Sequence, residues 1–187
     1  ECFSSDDMSH LIWDSGRVAS SETLHISYGG PSLRSTQRVY WRVTSWDGPS
    51  LPTACFPSPL AWFEVALVDD SDWHGAQWIT RFPSKANVSD CELYAQSERN
   101  RAPRFRTEVV VPSGAQRVRA YVAGLGYHRV FVDGQRVGTS ELDAGWATTA
   151  KTVLYSVLDL SELLLAGGPR HVVGVELGNG WWNPLPL

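Results

Sequence analysis

The sequence predicts an all-β chain of two sandwich-type units, with one short helix. Apolar residues recur at every second position in several short runs, the period of a half-buried strand. Gly-, Pro- and Asp-rich turns separate these runs, Asp133-Gly134 most plainly. Helical character is confined to Glu162–Leu165.

Leu24, Ile26 and Tyr28 alternate with His25 and Ser27 until Gly29-Gly30-Pro31 stops the run, which predicts a strand and a turn. Val39, Trp41 and Val43 oppose Tyr40, Arg42, Thr44 and Trp46 in a β-branched and aromatic stretch, a second strand. Asp47-Gly48-Pro49 closes it. Four prolines between Pro49 and Pro59 predict a loop or an edge. Trp62, Glu64 and Ala66 alternate with Phe63, Val65 and Leu67 as a further strand. Asp69-Asp70-Ser71-Asp72 then marks a polar boundary. The stretch from Phe82 to Pro103 is polar and weakly periodic, and reads as a long loop between the units. Arg99, Arg101, Arg104 and Arg106 cluster at its end. They suit an anion patch, but a solvated strand edge, where charge discourages pairing with other chains, is the plainer reading.

Strands resume at Phe105. Val109-Val110-Val111 stops at Pro112-Ser113-Gly114, and Val118, Ala120 and Val122 alternate with Arg119 and Tyr121. Val130-Phe131-Val132 and Gln135-Arg136-Val137 flank Asp133-Gly134 as a hairpin, because both turn residues need positive φ. Thr152 to Leu158 is another strand. Asp159 or Ser161 can cap the helical turn, and Gly167-Gly168-Pro169 ends it. His171, Val173, Val175 and Leu177 alternate with Val172, Gly174 and Glu176 in the last strand. A seven-strand sandwich takes about 100 residues. The first unit, to about Asp70, falls short of that by roughly a strand or two, and the second ends abruptly after Trp181-Trp182, so each is expected to be incomplete at its outer chain end.

Composition narrows the function classes. With 187 residues and 43% hydrophobic side chains, the chain can bury a core. The net charge of -4 lacks the basic footprint of general nucleic-acid binding. No apolar run approaches the ~18 residues of a membrane helix. The longest, Leu163-Leu164-Leu165-Ala166, is too short for a signal-peptide core. The three cysteines, Cys2, Cys55 and Cys91, include no C-x-x-C, and the five histidines are scattered, so no zinc site is expected. A Cys2–Cys55 bridge is one pairing that spacing allows. Asn87-Val88-Ser89 fits a glycosylation sequon, a triplet that also arises by chance.

Few constellations carry chemistry. If extended, Glu141 and Asp143 would share a face about 6.5–7 Å apart, room for the water of an inverting glycosidase. A solvent-facing acidic pair is the stronger alternative. There is no G-x-S-x-G elbow, and Gly124-Leu125-Gly126 lacks the third glycine and lysine of a phosphate loop, so it reads as a bend. The nine tryptophans are more informative. Trp146, Trp181 and Trp182 stand beside Gly145, Gly180 and Asn179. A flat indole with amide or carboxylate neighbours suits the C–H face and hydroxyl edge of a sugar. The same tryptophans could instead fill a sandwich core. Adjacent strand residues face opposite ways, so Trp181 and Trp182 cannot both be core in an extended segment.

Several motifs converge on one family. Leu11-Ile12-Trp13-Asp14-Ser15-Gly16-Arg17-Val18, then Tyr28-Gly29-Gly30-Pro31-Ser32-Leu33, resembles the start of alpha-L-rhamnosidases. Val39-Tyr40-Trp41-Arg42-Val43 with Trp46-Asp47 does so too. Asp72-Trp73-His74-Gly75-Ala76-Gln77-Trp78-Ile79 looks like the family's joint between a fibronectin-III-like domain and the next. Ala120-Tyr121 through Gly126-Tyr127, Val132-Asp133-Gly134, Val137-Gly138, Leu142-Asp143-Ala144-Gly145-Trp146 and Gly178-Asn179-Gly180-Trp181-Trp182 resemble its N-terminal β-sandwich. Ala147-Thr148-Thr149-Ala150 departs from the family's threonine followed by tyrosine, which weakens any role for that loop.

The resemblance implies a fibronectin-III-like sandwich over residues 1–70 and a jelly-roll-like rhamnosidase N-terminal β-sandwich over 71–187. It implies a parent enzyme that removes terminal L-rhamnose, usually with inversion, using carboxylates of a downstream (α/α)-barrel. Such a barrel is absent from this sequence, so no catalytic residue is expected here and the barrel of the same polypeptide is the expected partner. Glycan contact would fall on Asp143, Trp146, Asn179, Trp181 and Trp182, with a rhamnose-containing glycan or glycoside as ligand. No cofactor is predicted. Calcium enters by family analogy alone, because related sandwiches bind rhamnose with calcium. A purely structural sandwich without glycan contact is the alternative.

Overall fold

A computed structural model describes residues 1–22, 24, 26–47, 55–79, 103–178 and 180. The chain divides into two compact units, Glu1–Ile79 and Thr80–Leu187. The described strands are short and, apart from a 3₁₀ turn, one five-residue helix interrupts them, so the architecture is all-β as expected.

The first unit contains β1 (Cys2–Phe3), β2 (Leu11–Trp13), β3 (Arg38–Trp41), β4 (Thr44–Trp46), β5 (Cys55–Pro57) and β6 (Ala61–Glu64). One sheet runs β2-β1-β3-β6 and a second pairs β4 with β5. Val39 is fully buried, and Phe3 nearly so, at the middle of the larger sheet. The expected strand over Val39–Trp46 is real but divided. β3 pairs with β1 and β6, whereas β4 pairs with β5, so the chain changes sheets at Arg42-Val43. Proline-flanked β5 takes the edge position, which tolerates missing N–H donors.

The described residues of the expected strand at Leu24–Tyr28 form no strand. Among its described residues, Leu24, Ile26 and Tyr28 join no ladder, and Leu24 and Ile26 are exposed. Alternation alone does not supply a hydrogen-bonding neighbour. Tyr28 instead packs edge-on against Trp13, with ring centroids 5.1 Å apart, and its hydroxyl donates to the Pro31 carbonyl at 2.9 Å. The predicted turn survives there. A Cβ at Gly30 would lie 2.7 Å from Trp13 Cβ, so only glycine fits beneath these rings. The acidic boundary becomes a 3₁₀ turn, Asp70–Trp73. Asp72 Oδ2 accepts from the Asp69 and Val68 amides at 2.9 and 3.2 Å and from the Ser35 hydroxyl. This ties the turn back to the first unit.

The second unit contains β7 (Arg104–Val110), β8 (Arg119–Ala123), β9 (Tyr127–Val132), β10 (Gln135–Val137), β11 (Tyr155–Asp159), α1 (Ser161–Leu165) and β12 (Arg170–Gly178). A four-stranded antiparallel sheet, β10-β9-β12-β7, faces a β11-β8 pair. Val132 from the first, with Leu160 and Leu164 from the second sheet's end and α1, forms a buried core, joined by Val109, Val173 and Leu158. That is a β-sandwich, with alternate residues of each strand turned inward. The Asp133-Gly134 hairpin is as expected, with φ of 49° and 82° at its two turn residues.

β11 starts at Tyr155, later than the expected Thr152. The helix cap also differs. Leu160 occupies the cap position without a side-chain bond, and Asp159 Oδ1 accepts the Ser161 amide from one residue further out. The Ser161 hydroxyl is drawn instead to the Val118 amide, across to the start of β8. Cys2 and Cys55 carry free thiols, so the bridge that spacing allowed is not formed. Cys91, the Asn87 sequon, Arg99 and Arg101 lie outside the described residues.

Candidate functional site

Two turns of the second unit border a small cleft. The first joins β8 to β9 through Gly124-Leu125-Gly126, the bend expected from its glycines. The second is the loop from Gly138 to Leu154, between β10 and β11. Together they enclose a cleft of about 220 Å³, lined by Gly124, Leu125, Trp146, Thr148, Thr149 and Leu154 among others. Drug-sized sites occupy roughly 300–1,000 Å³, so this volume suits a single small ring.

Trp146 is 78% exposed, which rules out a core role for it in this chain. Gly145, at φ 75°, sets the turn before it, and a Cβ there would approach Leu154 Cδ1 to 3.3 Å. Upstream, the loop is fastened to the sheet. The His128 amide donates to the Asp143 carbonyl at 3.0 Å as an isolated antiparallel bridge, and the Ser140 hydroxyl donates to Asp143 Oδ1 at 2.7 Å. Asp143 is not among the residues that line the cleft, and its contacts to His128 and Ser140 shape the loop that leads to it.

Glu141 and Asp143 do not form the carboxylate pair that an extended segment would give, because residues 141–142 form a bend. Glu141 Oε1 accepts from Arg136 Nη1 at 2.6 Å, and Oε2 from Arg129 Nη2 at 2.5 Å. Arg136 first and Arg129 second hold its carboxyl below the usual range. A general acid needs the opposite shift.

His128 lies beneath the first turn. It is buried, neither ring nitrogen has a protein hydrogen-bond partner, and a Cβ at Gly124 would come within 3.0 Å of Nδ1. Burial pushes its pKa down, partly opposed by Asp143, so the neutral imidazole is favoured. The alternation of Tyr127–Val132 places His128 inward with Val130 and Val132, but composition offered no sign of its role. Among the described residues, no group of three or more His, Cys, Asp or Glu side chains is placed to hold a metal ion.

The remaining expected contacts, Asn179, Trp181 and Trp182, lie outside the described residues. Gly180 between them is described. Its φ is 54°, and a Cβ there would meet Gly126 Cα at 3.3 Å and the Tyr127 ring at 3.4 Å. Gly180 therefore packs on the same turn that lines the cleft.

Two family models match this arrangement. Residues 113–185 match the alpha-L-rhamnosidase N-terminal domain, and residues 4–69 match the Rha78A-like N-terminal immunoglobulin domain. In both units the chain resembles the N-terminal region of alpha-L-rhamnosidases. The immunoglobulin match corresponds to the unit expected to be fibronectin-III-like, and both names describe a two-sheet β-sandwich.

Relatives carry the same name. An alpha-L-rhamnosidase of Formosa agariphila is 30% identical over 182 residues, 92% of this chain and 19% of the relative. An alpha-L-rhamnosidase of Streptomyces avermitilis is 30% identical over 186 residues, 17% of its length. Among solved structures, alpha-L-rhamnosidase from Dictyoglumus thermophilum superposes with a TM-score of 0.74 at 30% identity, over 97% of this chain and 20% of that one. The Aspergillus terreus enzyme shares the fold, with a TM-score of 0.67 at 24% identity over 87% of this chain and 18% of that one. The chain thus spans about a fifth of the length of the rhamnosidases it matches. Among the described residues, no helix is long and apolar enough to cross a membrane.

Proposed function

We propose that this chain serves as the non-catalytic N-terminal part of an alpha-L-rhamnosidase, helping to recognise a rhamnose-containing glycan and to position the catalytic domain. Its partner is then the catalytic domain of the same polypeptide. The observation that carries the reading is exposed Trp146 in the lining of a cleft that also includes Thr148 and Thr149, with Gly180 packed on the adjoining turn. An indole offers an apolar plane to the C–H face of a sugar, and the hydroxyls offer orienting hydrogen bonds. In this reading Trp146 stacks on the ring and Asp143 holds the loop, while Asn179, Trp181 and Trp182 stay contact candidates on their sequence alone.

Titrating the chain with L-rhamnose, with and without calcium, tests the contact by NMR shift mapping. Shifts gathered at residues 124–126 and 145–154 at millimolar sugar support it. An unperturbed spectrum at those concentrations removes glycan contact from the reading.

A second reading is a structural scaffold. Leu142, Trp146 and Leu154 are all exposed on one loop, an apolar surface that a neighbouring domain would cover. It predicts self-association of the isolated chain at micromolar concentration. A monodisperse monomer by light scattering counts against it.

A further inference from the structure

The outer face of the β10-β9-β12-β7 sheet carries a row of alternating charge. On β7, Arg104 donates from Nε and Nη2 to Glu176 Oε1 at 2.9 and 2.7 Å. Glu176 on β12 stands in register with Arg129 on β9, and directly opposite residues share a face. Arg129 reaches Glu141 at 2.5 Å, and Glu141 reaches Arg136 on β10 at 2.6 Å. The row reads plus, minus, plus, minus, plus from one edge strand to the other. Val130 and Val132 occupy the opposite, buried face.

Glu141 differs from the other members because it belongs to no strand. It sits at the base of the loop that leads to Trp146. Arg136 also donates from Nη2 to the Ser140 carbonyl, and Ser140 in turn holds Asp143. The base of the loop is therefore attached to two strands through one carboxylate. An isolated exposed ion pair contributes little. One carboxylate shared by two guanidiniums, each rooted on a different strand, restrains position more than a single pair does.

We infer that Glu141 is a positioning residue that pins the Trp146 loop to the four-stranded sheet, so that the cleft's geometry depends on ionic strength. The inference rests on the proposed reading only for the cleft's ligand. The pinning itself stands on the ion pairs. Salt near 1 M shortens the Debye length to about 3 Å, and exposed pairs of this kind weaken under it.

Hydrogen exchange on the full chain at about 0.05 M and about 1 M NaCl tests the inference. Glu141→Gln removes the charge with little change of shape. Amides of residues 142–146 are expected to exchange roughly three- to tenfold faster in this variant at low salt, with β12 unchanged. Wild type at high salt should approach the variant, and the variant should respond little to salt. Arg136→Gln should reproduce the effect, and provides the measurement if the first variant folds poorly. Loop exchange that is the same in wild type and both variants, or independent of salt in wild type, overturns the inference. L-rhamnose titration of the same samples separates the two claims. A salt-sensitive loop that binds no sugar supports the pinning and removes the rhamnose reading.

Discussion

His171 Nδ1 lies 2.6 Å from Asp133 Oδ2, so the first residues of β12 are tied to the β9–β10 turn by a buried imidazole. The other oxygen of Asp133 accepts the Val172 amide at 2.8 Å. Asp133 is thus both a turn residue, at φ 49°, and the anchor of the neighbouring strand. Aspartate suits both demands, because it tolerates left-handed backbone and offers two acceptor oxygens.

The pair predicts a pH dependence with a definite sign. The hydrogen bond that His171 donates to Asp133 raises the His171 pKa above the usual 6.5. Its contribution to stability is then fully present below pH 6.5 and is lost as pH rises through the raised value. The Val172 amide first, and His171 second, lower Asp133 below 3.8. That contribution is present above pH 3.8 and is lost as pH falls through the depressed value. Denaturant melts of wild type and His171→Gln should differ most between about pH 4 and pH 6.5, and the difference should shrink toward pH 9. A difference constant from pH 5 to 9 contradicts the pairing.

Leu164 carries α1 into the sandwich, packed in the core with Val132 and Leu160. Leu164→Ala should destabilise the second unit by about 2–5 kcal/mol, through lost apolar burial and the cavity left behind. Urea unfolding followed by circular dichroism measures this. A cost below about 1 kcal/mol would mean that α1 does not close the core.

Glu141 is held ionised by two arginines, and Asp143 accepts from Ser140, so the acid and base of an inverting pair are not present in that form. The chain alone should release no aryl alcohol from an aryl L-rhamnoside above the no-protein rate. Turnover that disappears in Glu141→Gln would reinstate these carboxylates as catalytic.

Legibility in the sequence followed the range of the interactions involved. The Asp133-Gly134 hairpin and the alternating run of β12 were readable because turn chemistry and period two are local. β1 and β2 escaped individual notice because two- and three-residue strands hold no periodic signal. Leu24–Tyr28 shows the converse: good alternation, but ladder formation needs a neighbour that only the tertiary arrangement provides. The exposure of Trp146 was one of two readings, and the fold decided between them. His128 and the two arginines around Glu141 were invisible, since they meet only after β10 turns back along β9.

The central claim is that Trp146 forms part of an L-rhamnose contact. Calorimetric titration of wild type and Trp146→Ala with L-rhamnose tests it most directly. The variant should retain wild-type stability within about 0.5 kcal/mol, as expected for an exposed position. Wild type should give saturable heat at millimolar sugar, and the variant none. Equal heats in both proteins, or none in wild type, would contradict the claim.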